Sequence, residues 1–427
     1  MPTPKQQAAQ IIRRLARGLP LEVLARRLAP RSPEEHPPRP EVPHPREWSR
    51  GAWEQRVAFF EGQGTALPHL AGRAAYPDPA ELRGNVEAYL GMTWVPTGVI
   101  GPLRVNGLHA QGDYYVPLAT SEGALVASYH RGARLITLAG GAAALTTIEQ
   151  VQRAPGFAFK TLAEAAHFGA WVIGEFDGFH ELVAKRSRHA RLLDVHTHLE
   201  ANYCTLIFAF HTGDASGQNM VTFCTEAICE DILARTPVKP HHWFLEANMS
   251  GDKKANILTF LQTRGRKVEA EVVLPRALVE RTLRTTPERM CDYWRMSFVG
   301  GAQTGSVGVS GHIANGLAAV FLACGQDVAC VSEASVGVTR LELTDAGELY
   351  CGITMPNVIT GTVGGGTRLP TARECLCLMG CEGEGKASAF AEIVTVACLA
   401  GEISIVGALC AGEFSSAHAR FGRQNST

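Results

Sequence analysis

The feature that most restricts the fold of this chain is a long apolar segment near its C-terminus, Ile393–Gly412. Apart from Glu402 the segment is almost wholly apolar, and it is rich in Ala and Gly. A helix that is apolar on every side must be buried, either in a bilayer or in a protein core. Because the segment lacks flanking basic anchors, we predict a buried core helix.

Size and composition allow such a core. The 427 residues are enough for two or three domains. A formal net charge of −1, with 46% apolar and 19% charged residues, gives no indication of nucleic acid or an acidic polymer as partner. Twelve cysteines with no secretory signal ahead of them favour a reducing, cytoplasmic setting.

The cysteines contain one tight cluster, formed by Cys375, Cys377 and Cys381. No second half with CxxC or HxxxH spacing accompanies it, so buried thiols are favoured over a metal site. We expect no metal.

The N-terminal region, residues 1–84, is predicted to be helical with a proline-rich linker. Its first 50 residues hold ten Lys and Arg against five Glu. Ile11–Leu28 has apolar residues at helical spacing with arginines between them, interrupted by Pro20. This pattern fits a docking helix, which we favour, or a helix that lies on an anionic surface or targets an organelle. Pro30–Pro45 has the composition of a linker.

From Asn85 onward the pattern alternates between strands and helices, which is typical of a mixed α/β (α+β) fold. We predict a large discontinuous domain over residues 85–154 and 243–400, followed by a C-terminal helix and mobile tail over 401–427. Its predicted elements are a strand at Val268–Leu274, a helix from Pro275 to about Arg284, another from Pro287, and an apolar helix within Gly311–Gly325.

Residues 155–242 have a different sequence pattern, in which strand-like pieces surround one helix, and they are predicted to form a smaller inserted α+β domain. One clear helix, Gln218–Ala234, carries apolar residues on one face. Three strand-like pieces surround it: Trp171–Glu175, Arg191–His198 and Tyr203–His211.

Two loops could bind an anion or a flat ligand. In GDASGQNM, Gly213–Met220, small residues precede the N-terminus of a predicted helix. The free N–H groups at such a helix end attract anions. It is not a GxGxxG motif, so a Rossmann fold is not indicated. Asp214 would repel a phosphate, so it should cap the helix or hold a ribose hydroxyl. In GTVGGGTRLP, Gly361–Pro370, four glycines let the backbone approach a flat ligand or form a tight turn.

Several polar residues stand in unusual surroundings. Glu122 and Asp327 are acids among small or apolar residues, so each could cap a helix or donate a proton. Ser187 and Arg188 could recognise an extra phosphate such as that of NADP, or lie on the solvated surface. In GDKK the chain places two of its 8 lysines side by side, although it uses 32 arginines elsewhere.

The order of these motifs resembles the 3-hydroxy-3-methylglutaryl-CoA (HMG-CoA) reductase family, in a soluble form with class I-like features. The resemblance runs from about Asn85 to Arg423. VPLATSEGALVASYHRGAR and TMPNVITGTVGGGTRL are its most specific stretches. It implies reduction of HMG-CoA to mevalonate and CoA for isoprenoid synthesis, with two NADPH per turnover.

The resemblance also implies roles for individual residues. Lys253 would stabilise the oxyanion, Glu122 would supply protons, and Asp327 would hold both in one hydrogen-bonded set. His418 would protonate the CoA thiolate. Substrate-side positions are Arg153, Asn248, Lys254, Arg295 and Asn315. Positions on the cofactor side are Ser187, Arg188, Asp214, Gly217, Asn219, Val363, Gly364, Thr367 and Arg423. The small domain would be a ferredoxin-like NADP-binding domain, and the active sites would form between subunits of a homodimer or homotetramer.

Departures from the family pattern leave alternatives open. Glu246 replaces a serine that helps to hold the acyl carboxylate, and Arg295 or Met296 stands where the family has a lysine. Ser216 and Gln218 replace apolar residues in the loop before the helix. The same chemistry on another carboxy-acyl-CoA is therefore an alternative. So are an NADH-dependent degradative enzyme and a non-catalytic CoA-binding homologue. The last would be expected to lack Glu122, Lys253, Asp327 or His418, and all four are present.

Overall fold

The computed structural model describes residues 19–75 and 78–412 of the chain. In this part of the chain, strands and helices alternate as predicted. The strands are β1 (Thr97–Gly107), β2 (Gln111–Ala119), β3 (Ala142–Arg153), β4 (Gly156–Ala158), β5 (Arg191–Glu200), β6 (Tyr203–His211), β7 (His242–Phe244), β8 (Gly265–Leu274), β9 (Val338–Leu343) and β10 (Leu349–Val358). The helices are α1 (Leu21–Leu28), α2 (Arg50–Glu61), α3 (Leu125–Leu138), α4 (Leu162–Gly174), α5 (Phe176–Arg186), α6 (Gln218–Arg235), α7 (Arg276–Leu283), α8 (Pro287–Thr304), α9 (Ile313–Ala323), α10 (Val331–Ala334), α11 (Pro370–Leu378) and α12 (Ala387–Cys410).

The larger part of the sheet has the strand order β2-β1-β3-β8-β10-β9. Only β1 and β3 run parallel within this set. The predicted strand Val268–Leu274 lies in β8, where buried and more exposed residues alternate. The mixed α/β class is therefore confirmed.

The predicted core helix is α12, which packs on this sheet and against α3. Twenty of its 24 residues are buried. It is long and apolar enough to cross a bilayer, but 89% of its most apolar stretch is enclosed by the protein. The core-helix prediction is confirmed. The predicted division between residues 400 and 401 falls inside this helix.

Buried carboxylates on α12 are satisfied by backbone donors. Glu392 accepts the N–H groups of His109 and Ala110, each at 2.8 Å. Glu402 accepts the N–H groups of Gly311 and His312. These bonds cross-link the core helix to two loops, because buried acceptors that lose water must find donors in the protein.

Strand β3 continues out of the larger sheet into a second unit. Its last residues, Val151–Arg153, pair with β6, and beyond Pro155 the chain resumes as β4. The second unit has its own apolar core, built from α4, α5, α6 and the strands beside them. Its strand order is β7-β4-β6-β5. Along the chain the elements of this unit follow the order β-α-α-β-β-α-β.

Most local predictions in this unit are confirmed, and one is wrong. Strands β5 and β6 and helix α6 lie where they were predicted. The predicted strand at Trp171–Glu175 is instead the last turn of α4 and the cap that follows it. A capping box between Thr161 and Glu164 starts that helix. Its buried positions recur at helical spacing, so the short apolar run at its end continues the helix.

The helix predictions in the large domain differ only at their ends. Helix α7 begins one residue after Pro275, whose backbone is extended, and Pro287 is the first residue of α8. The apolar helix within Gly311–Gly325 is α9.

The N-terminal segment lies on the large domain. Helix α1 begins directly after Pro20, and the predicted helical residues 11–18 lie outside the described part. Arg27 donates to the carbonyl of Gly107, at the end of β1. In the proline-rich stretch, Arg31 and Arg39 bond the β1–β2 hairpin through Asn106 and Asp113. The described part of α1 therefore favours the docking-helix interpretation.

Close packing of α3 on α12 leads to a stability prediction. A Cβ placed on Gly132 would lie 1.8 Å from the carbonyl oxygen of Ala400. We expect Gly132→Ala to lower the free energy of unfolding by about 1–3 kcal/mol, because two helix backbones would have to separate. Urea denaturation measures this. Gly51→Ala, on an exposed helix position with open space around it, is the control. Equal denaturation midpoints for both variants would contradict the predicted contact.

Candidate active site

Lys253 and Asp327 form an ion pair at the centre of the site. The Nζ atom of Lys253 lies 2.9 Å from Oδ2 of Asp327. Lys253 belongs to the loop between β7 and β8. Asp327 follows α9 and caps the short turn Val328–Cys330, accepting the Ala329 N–H at 3.1 Å. The side chains of the pair are 42% and 40% exposed, so the ammonium group can still meet a ligand.

The pair favours the charged form of both groups. Its hydrogen bond raises the pKa of Lys253, against the smaller opposing effect of partial burial. Burial acts to raise the pKa of Asp327, but Lys253 and the donors from Ala329 and Gln218 together lower that pKa below its usual value. At neutral pH Lys253 is therefore protonated, and Asp327 holds its ammonium group in place as a hydrogen-bond donor.

A buried charge network supports the Lys253 loop. Lys253 has a φ of +56°, a left-handed conformation that residues other than glycine rarely adopt. Its N–H donates to Oε1 of Glu333 at 3.1 Å. The same carboxylate binds the buried guanidinium of Arg264, which pairs with Asp252 at 2.8 Å. A strained backbone persists only where its surroundings hold it, and this network supplies those contacts.

Glu122 forms a separate pair. Its Oε2 accepts a hydrogen bond from Nδ2 of Asn315 at 2.7 Å. It does not cap α3, whose N-cap is Ala124. Within the described residues, no hydrogen bond joins Glu122 to Lys253 or Asp327. The structure thus forms two separate pairs, Lys253 with Asp327 and Glu122 with Asn315.

The two glycine-rich loops meet at the N-terminus of α6. The Thr362 N–H donates to the carbonyl of Asp214 at 2.9 Å. A Cβ on Gly361 would lie 2.6 Å from the backbone nitrogen of Ser216, so this approach requires glycine. Gly217, with φ +77°, is the N-cap of α6, and no side chain caps that helix end. The N–H groups of the first turn therefore remain available to an anion.

Asp214 does not cap α6, which was one of the two roles predicted for it. Its carboxylate accepts the N–H groups of Gly385 and Ala387 at 2.7 and 3.1 Å, which ties the loop to the start of α12. The expectation that it caps α6 is wrong, because Gly217 occupies the cap. Its contact with a ribose stays a prediction.

A cavity of about 330 Å³ lies between the end of α5 and α6. Its walls are Arg186, Ser187, Met220, Phe223 and Cys224. Arg186 and Ser187 thus place a cation and a hydroxyl beside apolar side chains.

The other predicted cofactor residues are distributed around these loops. Arg188 and Asn219 are exposed, at the end of α5 and the start of α6. In the second loop, the Thr367 hydroxyl donates to the carbonyl of Gly364 at 2.7 Å, and Val363 precedes that glycine. His418 and Arg423 lie outside the described residues.

On the substrate side, Arg153 is already paired. Its Nη1 lies 3.2 Å from Asp252 and 3.4 Å from Glu246. Glu246 also accepts the N–H of Asn248 at 2.7 Å. Glu246 is thus turned toward Arg153, and its negative charge is held there.

Two further substrate-side candidates have local partners. The Lys254 ammonium donates to the carbonyl of Asp252 at 2.9 Å. Arg295 pairs with Asp292 on the exposed surface of α8, next to the exposed Met296. Among the described residues, no hydrogen bond or ion pair joins Arg295 to the Lys253 loop.

The cysteine cluster behaves as free thiols. Cys375 and Cys381 are buried, and Cys377 donates to Glu382. Within residues 19–75 and 78–412, no group of three or more His, Cys, Asp or Glu side chains could hold a metal ion.

Several residues of the site were not among the predicted site residues, and three of them show what signal the sequence offered. Glu333 is an acid in an apolar stretch, the same signal that singled out Glu122 and Asp327. Gln218 stood out only as a departure from an apolar pattern. Arg264 has no distinguishing signal, because Arg266 two residues later has the same chemistry and is also buried.

The buried network leads to a second stability prediction. We expect Arg264→Met to cost about 3–5 kcal/mol of unfolding free energy, because the Glu333 carboxylate would lose its buried countercharge. Arg340→Met is the matched control. Its partner Glu342 is 55% exposed, and a solvated pair contributes at most about 1 kcal/mol. In urea denaturation, Arg264→Met should have a clearly lower midpoint than Arg340→Met. Similar midpoints would show that the buried network does not stabilise the fold in this way.

The chain is similar in sequence to known proteins. The chain is 42% identical over 378 residues to the 3-hydroxy-3-methylglutaryl-coenzyme A reductase of Pyrococcus abyssi, covering 86% of this chain and 92% of that protein. It is 43% identical to the protein of the same name from Pyrococcus horikoshii, covering 86% and 91%.

Solved structures agree at the level of the fold. A class II 3-hydroxy-3-methylglutaryl-CoA reductase from Streptococcus pneumoniae, bound to NADPH in open conformations, superimposes with a TM-score of 0.69. The match covers 86% of this chain and 98% of that one at 17% identity. The family described as hydroxymethylglutaryl-coenzyme A reductase matches residues 52–423. With this extent of match, the chain belongs to the hydroxymethylglutaryl-coenzyme A reductase family.

Proposed function

We propose that this protein reduces HMG-CoA to mevalonate and free CoA with two molecules of NADPH. The observation that carries the proposal is the Lys253–Asp327 pair, a charged donor held beside the domain with the open helix N-terminus. Sequence identity above 40% to reductases of this name supports the same reaction.

Each catalytic candidate has a distinct task. NADPH supplies hydride to the thioester carbonyl and, after loss of CoA, to the aldehyde. The ammonium of Lys253 donates to the oxygen that gains negative charge in each reduction. Asp327 keeps that ammonium protonated and oriented. Glu122, positioned by Asn315, delivers the proton that completes the alcohol, and His418 protonates the departing thiolate.

The cofactor is proposed to lie along the two glycine loops. The open N-terminus of α6 would bind a phosphate, and the cavity beside Ser187 would receive the part with the additional phosphate, next to Arg188. Asp214, Gly217, Asn219, Val363, Gly364, Thr367 and Arg423 complete the proposed cofactor side.

We also propose a cytoplasmic homo-oligomer, a dimer or a tetramer. All twelve cysteines are free thiols, which suits a reducing compartment. Large apolar side chains are exposed on the loop that follows Lys253 and on α8, including Leu261 at 81% and Met296 at 74%. Such surfaces are typical of subunit interfaces, and they support an active site shared between subunits.

The direct test is NADPH oxidation with HMG-CoA as substrate. We expect two NADPH consumed per mevalonate formed, with the product identified by mass spectrometry. Lys253→Ala should lower kcat by at least about 10²–10³-fold, because the oxyanion loses its charged donor. Lys160→Ala, at an exposed position in the small domain, should be unaffected. A near-normal rate for Lys253→Ala in a folded protein would exclude the mechanism.

A second candidate substrate has support from Glu246. Its carboxylate forms an ion pair with Arg153, a proposed substrate-side cation. A carboxylate on the acyl group would have to displace Glu246 or bind elsewhere. Another carboxy-acyl-CoA is therefore the alternative substrate.

A panel of carboxy-acyl-CoAs separates the two candidates. We expect the highest kcat/KM with HMG-CoA. Glu246→Ser should lower the KM for HMG-CoA by about tenfold, because releasing one ion-pair contact is worth roughly 1–1.5 kcal/mol. Conversely, a clear preference of the unmodified protein for a different carboxy-acyl-CoA would favour the alternative.

A further inference from the structure

One side chain of the small domain reaches the central ion pair. Gln218 is the first residue of α6, directly after the glycine loop. Its Nε2 donates to Oδ2 of Asp327 at 3.3 Å, the same oxygen that accepts from Lys253. Its Oε1 accepts from Nη2 of Arg264 at 3.4 Å. Gln218 therefore touches both the ion pair and the network that supports the Lys253 loop.

The amide matches its two neighbours in charge. Its NH₂ group faces a carboxylate and its carbonyl oxygen faces a guanidinium, so both ends of the amide are satisfied at once. The two charged partners also decide which way the amide points. A glutamate here would repel Asp327, a lysine would repel Arg264, and an apolar residue would leave both without this contact.

Asp327 is consequently held by donors from three directions. Lys253 and Gln218 share Oδ2, and the Ala329 N–H binds Oδ1. Only the Gln218 donor comes from the small domain. A movement of α6 relative to the large domain would break that contact and leave Lys253 as the only one of these donors on Oδ2.

We propose that Gln218 is a positioning residue that couples the loop at the N-terminus of α6 to the Lys253–Asp327 pair. The inference rests on the proposed function, since it assigns that pair to the reaction. The family pattern has an apolar residue at this place, so the coupling distinguishes this chain from that pattern.

Two substitutions test the coupling. Gln218→Met keeps the side-chain length and removes all three side-chain hydrogen bonds, those to Asp327 and Arg264 and one from Nε2 to Sγ of Cys330 at 3.0 Å. Gln218→Glu keeps an acceptor for Arg264 but places a negative charge beside Asp327. Glu226→Met is the control, because it introduces the same side chain at an exposed position two turns along the same helix.

Steady-state kinetics should separate positioning from a general loss of structure. We expect Gln218→Met to lower kcat by about five- to tenfold, because the hydrogen bond to Asp327 is lost, with both KM values changed less than about twofold. The acid limb of the kcat–pH profile should move up by about 0.5–1 pH unit, because Asp327 loses a donor to its charged form. Gln218→Glu should move it further. The other ionisable groups around the pair are Asp252, Arg264, Cys330 and Glu333. Of these, Arg264 and Cys330 also bond the side chain of Gln218.

Hydrogen–deuterium exchange of the ligand-free protein tests the contact between Gln218 and Asp327 independently of enzymatic activity. We expect faster exchange in peptides that cover residues 327–330 for Gln218→Met and unchanged exchange for Glu226→Met. Unchanged exchange in Gln218→Met, or a kcat and acid limb equal to those of the unmodified protein, would overturn the inference. If the unmodified protein fails to oxidise NADPH with any acyl-CoA, the proposed function fails, and the exchange measurement still decides whether the contact exists.

Discussion

Strand β3 joins the two domains, and the geometry of the site depends on it. Its first part pairs with β1 and β8 in the larger sheet, and its last residues, Val151–Arg153, pair with β6 in the smaller unit. A continuous strand cannot bend freely while both of its ends are hydrogen-bonded. The small domain is therefore held close to the loop that carries Lys253, and Arg153 lies at the point where the two domains meet.

Charge is organised in layers at this junction. Arg264 and Glu333 are fully buried, and Asp252 and Arg153 extend their network toward the surface. Lys253 and Asp327 lie further out, where both side chains are partly exposed. Buried ions without partners are costly, whereas a paired network can hold a loop in a conformation that it would not adopt alone. The buried ions support the backbone of Lys253. The partly exposed pair of Lys253 and Asp327 can therefore contact a ligand.

Local patterns in the sequence were sufficient for most elements of the fold. The apolar segment that became α12, the alternation in β8 and the glycine loop before α6 each depend on residues close together in the chain. The failure at residues 171–175 has the same origin, because a short apolar run fits a strand as well as the last turn of a helix. The decisive signal was the capping box at Thr161 and Glu164, ten residues earlier in the chain.

By itself, the sequence determined the fold class, the buried helix and the types of residue available for chemistry, because those follow from periodicity and composition. The family resemblance also implied the contact between Lys253 and Asp327, but only the tertiary structure decided which other polar groups meet. Lys253 and Asp327 are 74 positions apart, and Gln218 is 109 positions from Asp327. Nothing local could assign Arg264 rather than Arg266 to Glu333, or show that Glu246 neutralises Arg153. Partners in such pairs are selected by the packing of strands and helices, which brings distant side chains within hydrogen-bond reach.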